Sequence, residues 1–194
     1  MKHKYLKTIV ITGAVLAVGG AIRAETPQGW FPAGSHPKDY KMSVDHAVSH
    51  SGKAGASLKS VASDPAGFGT LMQTFKADAY RGKRVRMSGY VRAQDAKDWA
   101  GLWMRVDGPR SEPLAFDNMQ DRAIKGTSEW TKYEIVLDVP ESAQEIAFGL
   151  LLTGAGQVWM DDLGFEVVGK DIPTTGAKPM AGALPAPANL DFEE

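Results

Sequence analysis

The chain has 194 residues, with 22 basic and 23 acidic side chains, 43% hydrophobic residues and no cysteine. Without cysteine there is neither a disulfide framework nor thiolate chemistry, so an ordered domain must rest on its own core. The near balance of charge and the absence of a basic stripe argue against nucleic-acid binding.

The first segment reads as a secretory signal peptide, residues 1–24. Lys2, Lys4 and Lys7 give a positive start, and Thr8 to Ile22 form an apolar run containing three glycines. That run falls short of the roughly 20 residues a membrane span needs. Ala24 is a small residue at a plausible cleavage point, before the polar Glu25-Thr26-Pro27. Cleavage there would place the mature protein in the periplasm or outside the cell. It would leave 18 basic against 23 acidic residues, a formal charge of −5.

Residues 25–70 are polar and rich in turns, with Pro27, Gly29, Pro32, Gly34 and Pro37 close together. Two short extended pieces are expected there, Tyr40 to Val44 and Gly55 to Ser60, joined through the turn residues Ser51-Gly52-Lys53. Leu71 to Phe75 reads as a strand, and Asp78 to Lys83 as a turn or short helix. Val85, Met87, Gly89, Val91 and Ala93 then alternate with Arg86, Ser88, Tyr90 and Arg92, the period of a half-buried strand. Leu102, Met104 and Val106 repeat the alternation, followed by a turn at Asp107-Gly108-Pro109. Leu114 to Met119 is a further short strand. Trp130 to Val139 alternates clearly and stops at Pro140, which has no N–H for a ladder. Ile146 to Thr153 is almost continuously apolar, as in a central strand. Gly154-Ala155-Gly156 turns the chain into a last strand, Val158 to Val168. Roughly eight strands without a convincing amphipathic helix predict an all-β, two-sheet antiparallel β-sandwich, or jelly roll, over residues 25–170. Residues 171–194 are expected to be a Pro/Ala-rich linker with an acidic tail.

Four pieces of sequence carry a family resemblance. They are Ser51-Gly-Lys-Ala-Gly-Ala-Ser57, Tyr80 to Val91, Gly126-Thr-Ser-Glu-Trp-Thr-Lys-Tyr133 and Gly156-Gln-Val-Trp-Met-Asp-Asp-Leu-Gly-Phe-Glu166. Over residues 40–168 the chain resembles the galactose-binding-domain-like jelly rolls, the fold of many carbohydrate-binding modules of bacterial glycoside hydrolases. The stretch Trp99 to Arg122 also resembles a group of uncharacterised exported bacterial proteins, some bearing regulator names. This chain shows no basic helix-turn-helix pattern. The resemblance implies a structural calcium held by an aspartate of the closing Asp-Asp and a glutamate of the first strand. The residues named for it are Asp162 and, because the matching Asn-Leu-Asp-Phe-Glu segment stands at the far end, Glu193. That C-terminal segment, Asn189 to Glu194, is either the missing edge strand or an acidic tail.

If Val85, Met87, Val91, Leu102, Met104 and Val106 face the core, then Arg86, Tyr90, Arg92, Trp103, Arg105 and Asp107 share the opposite face, with Asp117 joining them. Sugar C–H faces stack on flat aromatic rings, while hydroxyls need directional partners. The expected ligand-binding set is therefore Trp103, Arg105, Arg92, Tyr90, Asp117 and Trp99, the last in a loop or at a strand start. The competing reading of the same residues is a solvated sheet face of cross-strand Arg–Asp pairs. Trp130 and Trp159 read as structural. His3, His36, His46 and His50 lack zinc-ligand spacing. No Gly-x-Ser-x-Gly elbow, phosphate loop or His-Glu-x-x-His motif is present. A carboxylate pair such as Asp107 and Asp117 could serve glycoside hydrolysis only in a cleft that a small sandwich does not imply. The expectation is a non-catalytic exported module binding a carbohydrate or similar polar ligand. The alternative is an envelope structural or interaction protein, or a periplasmic sensing accessory, that uses the same face on another protein.

Overall fold

A computed structural model describes residues 26–176, and every strand pair in it is antiparallel. The strands are β1 (Phe31–Gly34), β2 (Tyr40–Asp45), β3 (Gly55–Ser60), β4 (Phe68–Lys76), β5 (Lys83–Asp107), β6 (Pro113–Asp117), β7 (Ile124–Val139), β8 (Glu145–Thr153) and β9 (Gln157–Val168). Two layers follow from the pairings. The first runs β2-β3-β9-β5-β7, and the second runs β1-β4-β8-β5-β6.

β5 belongs to both layers. Its first half, Arg84 to Gln94, pairs with β9 on one side and with β7 on the other, while Trp99 to Asp107 pairs with β8. The change of sheet falls where the β5–β7 register shifts three times, between Val91 and Ala100. Bulges of this kind bend a strand and increase its twist, which lets one strand turn the corner of a sandwich. Asp95 takes a positive φ of 53° within this stretch.

The core lies between the layers and is filled by the alternation. Val85, Met87, Val91 and Ala93 point inward from the first half of β5, and Leu102, Met104 and Val106 from the second, all without solvent exposure. Ile146, Phe148, Leu150 and Leu152 of β8 meet them. One end of the core is closed by edge-to-face aromatics: Trp30 on Phe148 at 5.2 Å between centroids, and Phe148 on Phe165 at 4.9 Å.

Three expectations are corrected. The stretch 31–34, read as turn, is edge strand β1, whose Pro32 is tolerated where no further ladder partner is required. Trp99, placed in a loop or at a strand start, lies within β5, paired with Thr153. The segments 85–93 and 102–106 are one continuous strand. After β9 the chain up to Gly176 stays attached to the domain: Thr175 N donates to Val136 O at 2.9 Å, and Val136 N donates to Thr175 Oγ1 at 2.8 Å. The proposed signal peptide, the C-terminal edge strand at Asn189 to Glu194 and the calcium ligand Glu193 lie outside the described residues.

Candidate ligand-binding site

Because β5 changes sheets, its outward side chains divide between opposite faces of the sandwich. Tyr90 and Arg92 stand on the outside of the first layer, whereas Trp99, Trp103, Arg105 and Asp107 stand on the outside of the second. Asp117 pairs in register with core residue Met104, so it is on the core side of β6. It is buried there and accepts from Arg122 Nη2 at 2.6 Å and from Met119 N at 2.8 Å. The expected single face therefore keeps three of its six ligand-binding residues together, Trp99, Trp103 and Arg105. The alternation of β5 continues correctly, but alternation says which side of a sheet a residue takes and not which sheet it is in.

The outer face of the first layer is satisfied by its own charges. Arg84 pairs with Asp138, Arg86 with Glu166 and Glu134, Lys132 with Glu134, and Arg92 with Glu129. Cross-strand pairs of this type are a normal solvated sheet surface. Trp159 is buried, donates its indole N–H to Asp45 Oδ2 at 2.8 Å and lies beneath the Arg92 guanidinium, in agreement with a structural role.

On the same face the loop after β2 is clasped to β9. His50 stacks on Tyr90 with 3.6 Å between centroids, and its Nδ1 is 2.6 Å from Asp162 Oδ2. Ser51 Oγ donates to the other Asp162 oxygen at 2.6 Å, and the backbone N–H groups of His50 and Ser51 donate to Asp161 Oδ2. The hydrogen bond from His50 holds the Asp162 carboxyl below its usual range. Calcium needs six to eight oxygen ligands. Here the two carboxylates face N–H and O–H donors, and no group of three or more metal-binding side chains exists among the described residues. The described residues therefore do not fit a calcium ion at Asp162.

The outer face of the second layer is of a different kind. Cross-strand register sets Phe31, Met72, Gly149 and Trp103 in one row, and Phe68, Thr153 and Trp99 in another. The row containing Thr74, Ala147 and Arg105 ends on Phe116 of β6. The Trp103 indole reaches across β8 and donates its N–H to Thr70 Oγ1 at 2.8 Å, while that hydroxyl donates to Leu150 O at 2.8 Å. Across from Trp103 stands Gly149, where a Cβ would run into the backbone of Leu71. Trp103 packs with Ala147, Leu151, Met72 and Trp99 in an apolar cluster separate from the main core.

Over this cluster opens a cleft of about 480 Å3. Trp103, at 7% exposure, forms its floor, while Phe68 and Phe116 rise from it at 38% and 43%. Thr70, Arg105 and Asn118 supply its polar atoms. Sequence reasoning named Trp99, Trp103 and Arg105 and missed Phe68, Phe116, Thr70 and Asn118. Phe116 falls in the strand expected over Leu114 to Met119, but a turn at Asp107-Gly108-Pro109 would set Arg105 opposite about residue 111; the longer loop 108–112 is what brings Phe116 opposite Arg105. A larger hollow of about 600 Å3 adjoins the cleft across Phe116 and Asn118. Most of the residues lining it are polar, and its arginine, Arg122, is already tied to Asp117 and Asp121. The smaller cleft, with several exposed aromatic rings, is the better candidate for a ligand site.

The fold is that of the carbohydrate-binding β-sandwich modules. It superimposes on the CBM22-1 xylan-binding domain of Paenibacillus barcinonensis Xyn10C with a TM-score of 0.55 at 14% identity, covering 74% of this chain and 88% of that domain. It also superimposes on the enzymatically active domain of tailspike protein 4 of bacteriophage CBA120, with a TM-score of 0.57 at 11% identity, over 73% of this chain and 20% of that one. At such identities the likeness is one of fold. In sequence the chain is 46% identical over 168 residues to a Bacillus subtilis protein called the uncharacterized HTH-type transcriptional regulator YbfP. The match covers 86% of this chain, which spans 57% of that relative's length. No family model matches the sequence.

Proposed function

We propose that this protein is a non-catalytic binding module that takes a carbohydrate in the cleft between Phe68, Trp99 and Phe116. One observation carries the reading. Of the two outer sheet faces, one is neutralised by its own ion pairs, while the other presents exposed aromatic rings beside Thr70, Arg105 and Asn118. Flat rings flanked by a few directional hydrogen-bonding groups are what a sugar ring requires. The fold of the xylan-binding domain supports the same reading. The two carboxylates that the sequence offered as a hydrolytic pair are each engaged by an arginine, Asp107 by Arg105 and Asp117 by Arg122. The amino-terminal segment 1–24 supports export of the module.

A second reading follows from the relative named as a transcriptional regulator. In that reading the sandwich is a sensing unit, and the same cleft receives the signal ligand. The two readings share a site, and the mass of the mature protein recovered from the native host tests whether the module is exported. Removal of residues near 1–24 is the result expected of the exported module. The site itself is tested by calorimetry against a panel of oligosaccharides. Phe68→Ala and Phe116→Ala are each expected to weaken binding at least tenfold while leaving the fold intact, by loss of stacking. Unchanged affinity in both would remove the cleft from consideration.

A further inference from the structure

Among the described residues Arg105 is the one charged residue that lines the aromatic cleft, and Asp107 cancels its charge from the side. Its Nε donates to both oxygens of Asp107, at 2.8 and 3.0 Å, and its Nη2 donates to Oδ2 at 2.9 Å. The residues are two apart on β5, so the strand repeat sets them on one face. Asp107 is only 3% exposed, and among the described residues its carboxylate accepts from Arg105 alone.

A buried carboxylate is costly unless paired, and a strand does not need one. Nor does the carboxylate build the following hairpin. That turn is closed by Gly108 N donating to Glu112 O and by Ser111 N donating to Gly108 O. What Asp107 does is hold the guanidinium through Nε and Nη2, while Nη1 has no hydrogen-bond partner among the described residues and Arg105 lines the cleft. A bare guanidinium at this position would clamp a carboxylate or sulfate through its fork. One already forked onto Asp107 offers directional donors without net charge.

We infer that Asp107 is a specificity-determining residue that neutralises and aims Arg105, so that the cleft takes uncharged glycans and rejects chains of uronate or sulfated sugars. This rests on the glycan-binding reading above. Asp107 does not touch the ligand; it acts through Arg105.

The test compares the full protein with Asp107→Asn, Asp107→Ser, Asp107→Glu and the double variant R105Q/D107N. The probes are xylohexaose and cellohexaose as neutral chains and hexagalacturonate as the acidic one, measured at low and high salt. The wild type is expected to bind a neutral chain and to discriminate against the uronate. Asp107→Asn or Asp107→Ser, whichever is folded by circular dichroism, gains affinity for the uronate by about five- to tenfold, the size expected of one unmasked charge at a partly hydrated site. That gain shrinks with salt, reverts in Asp107→Glu and is absent in the double variant. A merely structural residue would lose affinity for both classes of chain and gain none. If the wild type binds neutral chains and the ratio does not move in a folded variant, the role of Asp107 falls and the cleft stands. A wild type that prefers the uronate overturns the inference outright. A wild type that binds no probe in either class brings down the glycan reading and this inference with it.

Discussion

At the scale of single residues, Trp103 and Phe116 show how exposure separates two aromatics in one site. Trp103 is the floor: its indole is covered, packs on Leu151 and Ala147, and is fixed to Thr70 by its N–H. Replacing it with alanine opens a large void and is expected to cost about 3–5 kcal/mol of stability. Phe116 stands in solvent on an edge strand, and its truncation should change stability by less than about 1 kcal/mol. Urea unfolding of the two variants reads this difference directly; equal losses would mean that Phe116 is part of the core. Charge acts at the same scale in Asp138. Arg84 donates to both of its oxygens, Lys170 Nζ lies 2.7 Å from Oδ1, and the hydrogen bonds from Arg84 lead in lowering its pKa from 3.8 to about 2. A depressed carboxylate stabilises the fold above its unfolded pKa and loses that contribution as pH falls through its folded one. Asp138 is more than a third exposed, so solvent screening reduces the contribution to ~1 kcal/mol near neutral pH. Asp138→Asn should therefore be less stable than the wild type near neutrality, with the gap closing between about pH 4 and pH 2. A gap that persists at pH 2 would assign the loss to something other than this charge.

At the scale of elements, the crossing strand β5 decides what the sequence could and could not reveal. Val85 to Ala93 and Leu102 to Val106 alternate so regularly that both were legible as strands with one buried side, and each named inward residue is buried. The sheet each half would join was not legible, because a period of two carries no information about partners. That gap separated Tyr90 and Arg92 from Trp103, and it made Trp99 look like a loop residue. The crossing also depends on its neighbour. Gly156, at the turn between β8 and β9, has φ +142°, and a Cβ there would stand 2.8 Å from both Ala96 Cα and Asp95 O. The obstacle is backbone, at the point where β5 changes layers. Gly156→Ala is expected to destabilise the protein by about 2–3 kcal/mol, through strain and displacement of the 95–96 bulge. Hydrogen exchange should show the loss concentrated at residues 93–100. A neutral substitution would mean that the corner is loosely packed.

At the scale of the whole molecule, a sandwich has two outer faces, and the distribution of charge and aromatic area between them gives the protein its polarity. The first layer is laced by arginine–carboxylate pairs, while the second is left with rings and a cleft. The all-β class was legible from turn spacing and alternation, and the likeness of the fold to a xylan-binding domain agrees with it. The cleft was legible only in part, since Phe68 and Phe116 arrive from strands far apart in sequence and meet Trp99 and Arg105 through register alone. The most direct test of the account is which face the ligand occupies. On a glycan array, the wild type is set beside Phe116→Ala and Tyr90→Ala, one substitution on each outer face. The account predicts a glycan signal that Phe116→Ala abolishes and Tyr90→Ala leaves in place. A signal lost in Tyr90→Ala and kept in Phe116→Ala would put the site on the opposite face and contradict it.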